Sequence, residues 1–174
     1  MAKKAQPTSA GEPKKKAPPK SDKDGEKLIA DNRKARHDYH IDEQLECGIM
    51  LRGTEVKSLR DGRVVLSDAF AQVMKNELFL MNLDIQVYTH GSVHNHEPRR
   101  FRKLLVHRRE IERWGAKVQE KGYTMIPLRM YWKNGRAKVL LGLGRGKKEF
   151  DRRDDIKQRE GDREMNRALR RGRR

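Results

Sequence analysis

The sequence predicts a mainly β protein with some helix (β+α): a small closed antiparallel β-barrel with two or three peripheral helices and disordered basic termini. Three observations predict it. Apolar residues alternate over residues 39–51, the mark of a half-buried strand. Two more alternating runs, 123–133 and 136–144, flank Asn134-Gly135, and an Asn-Gly pair between such runs is the strongest short hairpin signal. Finally, nearly all large apolar side chains of the 174 residues lie in the middle of the chain, leaving two ends too polar to hold a core.

Residues 1–27 hold eight Lys, four acids and four of the six prolines, with no Val, Ile, Leu, Phe, Tyr or Trp. Such a segment buries too little surface to offset its ordering entropy and is expected to be disordered. One domain is expected over residues 28–146, a usual size. Its first strand or strand pair carries Tyr39, Ile41, Leu45, Cys47, Ile49 and Leu51 on one face, with Glu43 breaking the pattern and Gly48 as a plausible bend. In residues 53–62, Thr54 is placed to cap a short helix and Gly62 to end it, with Val56 and Leu59 on one side. Residues 69–74 and 78–85 read as a hairpin around Lys75-Asn76-Glu77. A polar, His-rich loop follows over 86–100. Leu104, Leu105, Ile111, Trp114 and Val118 fall on one side of a helix expected over 102–118. In the last hairpin, Leu128, Met130 and Trp132 are expected to face inward with Ala137, Val139, Leu141 and Leu143, and Arg129, Tyr131, Lys133, Arg136 and Lys138 outward. Five or six strands protect their edges by closing, and a barrel of the oligonucleotide-binding type has this strand count. Residues 147–174 hold twelve Lys/Arg and seven Asp/Glu, too few apolar groups for a core but enough helix formers to become helical on a partner.

Charge bounds the function. Lys plus Arg number 42 against 25 Asp plus Glu, a net charge of +17. That points to an anionic partner, nucleic acid first and an acidic membrane surface second. No run approaches the roughly 18 apolar residues of a spanning helix, and residues 1–27 lack the apolar stretch of a secretory signal. A single cysteine, Cys47, excludes an intramolecular disulfide and a Cys-rich zinc site, and suits a small buried core residue in a cytoplasmic protein.

Three clusters carry candidate chemistry. Asn32-Arg33-Lys34-Ala35-Arg36-His37 suits phosphate contacts, although an ordinary solvated charge run reads the same way. In Arg99-Arg100-Phe101-Arg102-Lys103 an aromatic sits among cations, as in a base-stacking platform, unless Phe101 packs inward. In Gly144-Arg145-Gly146-Lys147-Lys148 the glycines admit a phosphate, but the P-loop spacing is absent. Glu46, on the polar side of its strand, is placed to accept bonds from Arg or nucleotide amino groups, or to face water. His90, His94 and His96 fall within seven residues, a weak metal signal with Glu97 as the only adjacent carboxylate. A nuclease built on His96, Glu97 and Asp84 would need a carboxylate cluster that the sequence lacks. No catalytic motif assembles, so no enzyme, cofactor or metal is expected.

Several blocks in order resemble the SmpB family of transfer-messenger RNA (tmRNA) binding proteins. They are Asn32-Arg33-Lys34-Ala35-Arg36-His37, Gly53-Thr54-Glu55-Val56-Lys57-Ser58-Leu59-Arg60-Asp61-Gly62, Arg102-Lys103-Leu104-Leu105, Pro127-Leu128-Arg129-Met130-Tyr131-Trp132-Lys133-Asn134-Gly135 and Gly146-Lys147-Lys148. The resemblance implies an oligonucleotide-binding type barrel that binds the tRNA-like domain of tmRNA and delivers it to stalled ribosomes. It implies the small ribosomal subunit with its decoding-centre RNA and elongation factor Tu as partners, with alanyl-tRNA synthetase engaged indirectly. It implies a cytoplasmic monomer rather than a membrane-bound one. Family RNA-binding positions fall on Asn32, Glu46 and Leu105, beside the basic candidates Arg33, Lys34, Arg36, His37, Arg99, Arg100, Arg102 and Lys103. Tail positions that probe the ribosome fall on Gly146, Lys147, Lys148, Asp151, Arg152 and Arg153, with Phe150 where the family has Tyr or His. Arg152 stands where the family has Lys and Cys47 where it has Ala. The long Pro/Lys-rich amino-terminal extension has no family counterpart.

Overall fold

The computed structural model describes residues 26–91, 95–120 and 122–147, together with Gly161 and Met165. Of residues 1–27, expected to be disordered, 1–25 lie outside the described residues, whereas Lys27 opens a strand that pairs with Trp132. The conformation expected of the tail beyond Lys147 also lies outside them, those two residues excepted.

Nine strands and three helices follow in chain order among the described residues: β1 (Lys27–Asp31), α1 (Arg33–Asp38), β2 (Tyr39–Ile49), α2 (Gly53–Arg60), β3 (Val64–Val65), β4 (Phe70–Met74), β5 (Glu77–Met81), β6 (Asp84–Ile85), β7 (Arg102–Leu105), α3 (Arg108–Glu120), β8 (Tyr123–Lys133) and β9 (Arg136–Gly146). Six strands close an antiparallel ring in the order β8-β4-β5-β7-β2-β9, with β9 returning to β8. The expected closure is therefore present. Strand β1 adds to the outside of β8, and β3 pairs with β6 as a separate small sheet.

Turn chemistry sets the register. Asn134 and Gly135 have φ of 50° and 72°, the double left-handed geometry of a two-residue hairpin, so β8 and β9 pair from Lys133↔Arg136 back to Tyr123↔Arg145. The other tight turn is Lys75-Asn76 with φ of 50° and 61°, and Glu77 belongs to β5 rather than to the turn. Strand 78–85 does not run through: Asn82 takes φ 55° and divides it into β5 and β6.

Two bulges correct the expected faces. Leu128 has no partner in β9, because pairing passes from Pro127↔Leu141 to Arg129↔Leu140. Its side chain leaves the ring interior and packs with Ile126 and Ala35 in a second apolar cluster outside, joined by Tyr39, Ile41 and Leu140. Asp42 is skipped in the same way between Ile41 and Glu43, which sends Ile41 to that outer cluster too. Glu43, the odd residue of the alternation, pairs with Lys117 of α3 and lies 3.5 Å from Arg113. Strand β2 is one continuous strand. Gly48 marks a close approach to β7, where an added Cβ would lie 3.2 Å from Leu105 Cβ.

The main core fills the ring: Cys47, Leu78, Leu80, Leu104, Met125, Met130, Val139 and Leu141 are each at most 1% exposed. Helix α3 covers it with Trp114 and Ile111, and α2 contributes Leu59. The helix expected from residue 102 begins instead at Arg108; Arg102–Leu105 is the ring strand β7. Helix α2 starts at Gly53 rather than with a Thr54 cap, and the Arg52 N–H donates to Glu55 Oε2 at 2.6 Å.

Candidate nucleic-acid interface

The outer face of the ring across β7, β2, β9, β8 and β1 is a continuous surface. Strand pairing lines up Leu105, Gly48, Lys138, Tyr131 and Leu28 in one row. Leu105 and Leu28 are 52% and 56% exposed, so the row offers apolar surface to solvent at both ends. In the next row Glu46 sits opposite Leu140, and Leu140 opposite Arg129. The register thus brings Glu46 and Leu105, 59 positions apart in the chain, onto one face. Beside Leu105 a cleft of about 390 Å³ is lined by Gly48, Leu51, Val56, Trp132, Arg136 and Lys138.

Glu46 is occupied from within the protein. Tyr131 OH donates to its Oε2 at 2.5 Å, Lys133 Nζ donates at 2.9 Å, and Lys138 Nζ lies 3.5 Å from Oε1. The Tyr131 bond, backed by the Lys133 bond and charge, holds the carboxyl below its ordinary value against a smaller opposing effect of burial. Burial, then the Glu46 bond, pushes the Tyr131 phenol up, so it stays a donor. Lys133 also reaches Glu26 at 3.2 Å. Glu46 therefore holds two partly exposed lysines beside Tyr131, which is itself only 8% exposed.

Helix α1 carries the first basic cluster. Asn32 is 3% exposed and caps the helix through Ala35 N–H at 3.0 Å. Its amide donates to the Leu66 and Pro127 carbonyls at 3.1 and 3.0 Å, so all its polar atoms are engaged inside the protein. Arg33 and Lys34 are exposed, and Lys34 lies 3.6 Å from Asp68. Arg36 makes a two-pronged pair with Asp31 at 2.9 and 3.1 Å, and His37 meets Asp38 at 2.8 Å. Gly146 pairs with Tyr39, and Lys147 donates from its backbone to Asp38 O at 2.8 Å and from Nζ to Arg36 O at 3.2 Å. The start of the tail is thereby fastened beside α1. Lys148, Phe150, Asp151, Arg152 and Arg153 lie outside the described residues.

The second basic cluster is divided. Arg102 is fully buried and Arg100 largely so, both on the carboxylate of Glu55. Arg99 is exposed and pairs with Asp84 at 3.1 Å, and Lys103 pairs with Glu77. Phe101 points outward, 54% exposed, so the inward alternative for it is excluded. Of the His-rich loop, His94 lies outside the described residues. His96 is 3% exposed: its Nε2 donates to the Ile85 carbonyl at 3.0 Å, leaving Nδ1 to accept from Thr54 Oγ1 at 3.0 Å. Both His96 nitrogens are thus engaged within the protein, and Asp84 is paired with Arg99. Cys47 is 0% exposed, and burial pushes its thiol to about 12, which makes it an inert core residue.

Glu46 and Leu105 are candidate binding residues in the sequence; Tyr131, Lys133 and Lys138, which the structure groups around Glu46, are not. The alternation had put all three on the outward face, and that was the available signal.

A closed six-strand ring with peripheral helices, a net charge of +17 and a partly apolar, lysine-rich outer face defines the class: small basic β-ring proteins. The family described as "SmpB protein" matches residues 29–171, and the chain belongs to it. It is 55% identical over 146 residues to the SsrA-binding protein of Geobacter sulfurreducens, covering 84% of this chain and 95% of that one. It is 58% identical over 147 residues to the SsrA-binding protein of Myxococcus xanthus, covering 84% and 91%. A solved structure described as "tmRNA-SmpB: a journey to the center of the bacterial ribosome" is similar with a TM-score of 0.59 and 54% identity, over 69% of this chain and 85% of that one.

Proposed function

We propose that this protein is an RNA-binding adaptor of trans-translation, working in the cytoplasm. It binds the tRNA-like domain of tmRNA, the SsrA RNA, and brings it to stalled ribosomes, where the RNA supplies the reading frame that tags the unfinished polypeptide. The observation that carries this reading is the 55% identity to a protein named for binding SsrA, over 95% of that protein's length. The outer face supports it. Leu105 and Phe101 offer surface for nucleobases, while Lys133 and Lys138, with Arg33, Lys34, Arg36, Arg99 and Lys103, supply cations for phosphates and His37 a polar ring beside them. Asn32, Arg100 and Arg102 serve by positioning, because their polar groups are engaged within the protein. The tail from Gly146 through Lys147, Lys148, Phe150, Asp151, Arg152 and Arg153 enters the vacant mRNA channel beside decoding-centre RNA of the small subunit. Elongation factor Tu accompanies the complex, and alanyl-tRNA synthetase acts on the same RNA.

Sequencing of RNA crosslinked to the protein in cells tests the partner. One dominant small stable RNA together with decoding-region ribosomal RNA is the expected yield; a broad spread of unrelated RNAs would overturn the reading in favour of a general RNA-binding protein. A chain ending at Lys147 keeps the contacts of that residue to α1. It is expected to bind tmRNA normally and to lose peptide tagging, and normal tagging by it would remove the tail mechanism.

A further inference from the structure

Helix α2 and the segment leading into β7 are joined by one buried carboxylate. Glu55 is 0% exposed and accepts four bonds: from Arg52 N–H at 2.6 Å, from Arg100 Nε and Nη2 at 2.8 and 2.5 Å, and from Arg102 Nε at 2.8 Å. Arg102 carries the junction onward. Its Nη1 donates to the Leu83 and Arg100 carbonyls at 2.6 and 3.1 Å, and its Nη2 to Pro98 O at 2.9 Å. Arg100 Nη1 returns to Phe101 O at 3.1 Å. Residues 98–102 are thus wrapped around the carboxylate. Burial alone would push the Glu55 carboxyl up; the Arg100 bonds, the Arg52 N–H and two guanidinium charges outweigh it and hold the group ionised.

This junction decides which way β7 faces. With Arg102 and Leu104 drawn inward, Phe101, Lys103 and Leu105 must point outward, and a slip of one residue would exchange the two sets. Strand β7 is only four residues long, with three pairings to β5 and two to β2, so its ladders are short on both sides and its inward side chains carry much of the register. We propose that Glu55 is a positioning residue for RNA binding: it fixes the register of β7 and so displays Phe101, Lys103 and Leu105 on the interface. The inference rests on the RNA-binding reading above.

Charge gives the test its sign. Glu55→Gln removes a negative charge from a protein that binds a polyanion, so attraction alone predicts equal or tighter binding. Positioning predicts the opposite for specific RNA. The expected result is about tenfold weaker binding to a transcript of the tRNA-like domain, the equivalent of one well-made contact. Affinity for an unrelated RNA hairpin should be unchanged or slightly higher. Arg102→Lys is the second variant: it is equally buried, conserves charge, cannot reach RNA and loses the fork that holds the Leu83 and Pro98 carbonyls. It should show the same loss of specific binding, and it decides the matter if Glu55→Gln does not fold. A merely structural role would lower the melting temperature and leave the ratio of specific to unrelated affinity at the wild-type value in the folded variants; that outcome overturns the proposal. A wild-type protein that shows no preference for the tRNA-like transcript over the hairpin sinks the RNA-binding reading itself, a result visible before any variant is compared.

Discussion

A β-carbon at position 144 would sit 2.5 Å from the His40 carbonyl oxygen and 2.9 Å from Ile41 Cδ1, and one at position 142 would sit 2.9 Å from Leu128 Cδ1. The two glycines let β9 lie against the bulged stretch of β2 and leave room for the displaced Leu128. Because the first obstacle at 144 is backbone, Gly144→Ala should destabilise by about 3 kcal/mol, the upper end of overpacking costs. That is a fall of roughly 10 °C in melting temperature for a domain this size, and an unchanged melt would refute the close-approach account. Acid stability belongs to this scale as well. The Glu55 carboxyl lies below its ordinary value of 4.5 when folded. Its contribution is therefore complete above that value and drains away as pH falls through the folded one. Thermal melts should show wild-type stability declining below pH 4.5, and Glu55→Gln, less stable at neutral pH, should lose part of that decline. Single residues were the least legible feature of the sequence. Asn32 stands among the RNA-binding positions that the resemblance implies and Arg102 among the basic candidates, and nothing local in either run signals that both are buried. Their burial depends on partners far along the chain: Pro127 lies 95 positions from Asn32, and Glu55 lies 47 from Arg102.

Helix α1 has only six residues, too few to persist alone, so it depends on its cap and on the outer apolar cluster. Asn32→Ala removes the cap and strands the Leu66 and Pro127 carbonyls. A cost of roughly 2–3 kcal/mol is expected, with faster hydrogen exchange at residues 33–38 before global unfolding. Protection equal to wild type would show that packing alone holds the helix. The long hairpin of β8 and β9 and the continuous β2 were legible because alternation and Asn134-Gly135 are local signals. Strand β7 was not. Of its two inward positions one is Leu104 and the other is Arg102, so alternation vanished and the two adjacent leucines fitted a helical period instead. Bulges at Asp42 and Leu128 escaped for a similar reason, since a skipped residue exchanges faces without changing composition. Strand β1 escaped because Leu28, one of its two large apolar residues, is exposed to solvent and only Ile29 with Ala30 packs on the core.

Across the whole molecule, the surplus of 42 cations over 25 acids makes association with RNA depend on released counterions. The logarithm of affinity should fall linearly with the logarithm of salt, with a slope near −0.9 for each duplex phosphate neutralised. Lys133→Gln or Lys138→Gln should each make that slope shallower by about one unit if its ammonium meets a phosphate; a slope near zero for wild type would refute the electrostatic account. Overall closure and the positive balance were both legible in the sequence, because alternation and charge survive any choice of partner strand. The ring itself has a temporal consequence. Strand β9 is the seam, pairing with β2 on one side and β8 on the other, and β2 lies about a hundred residues earlier in the chain. During synthesis the first half must wait, with β2 unpaired along that edge, until residues 136–146 have left the ribosome's exit tunnel. Folding is therefore slow in character and arrives late. A nascent chain interrupted anywhere before β9 cannot close the ring, so residues 136–146 must be made before β2 and β8 are joined.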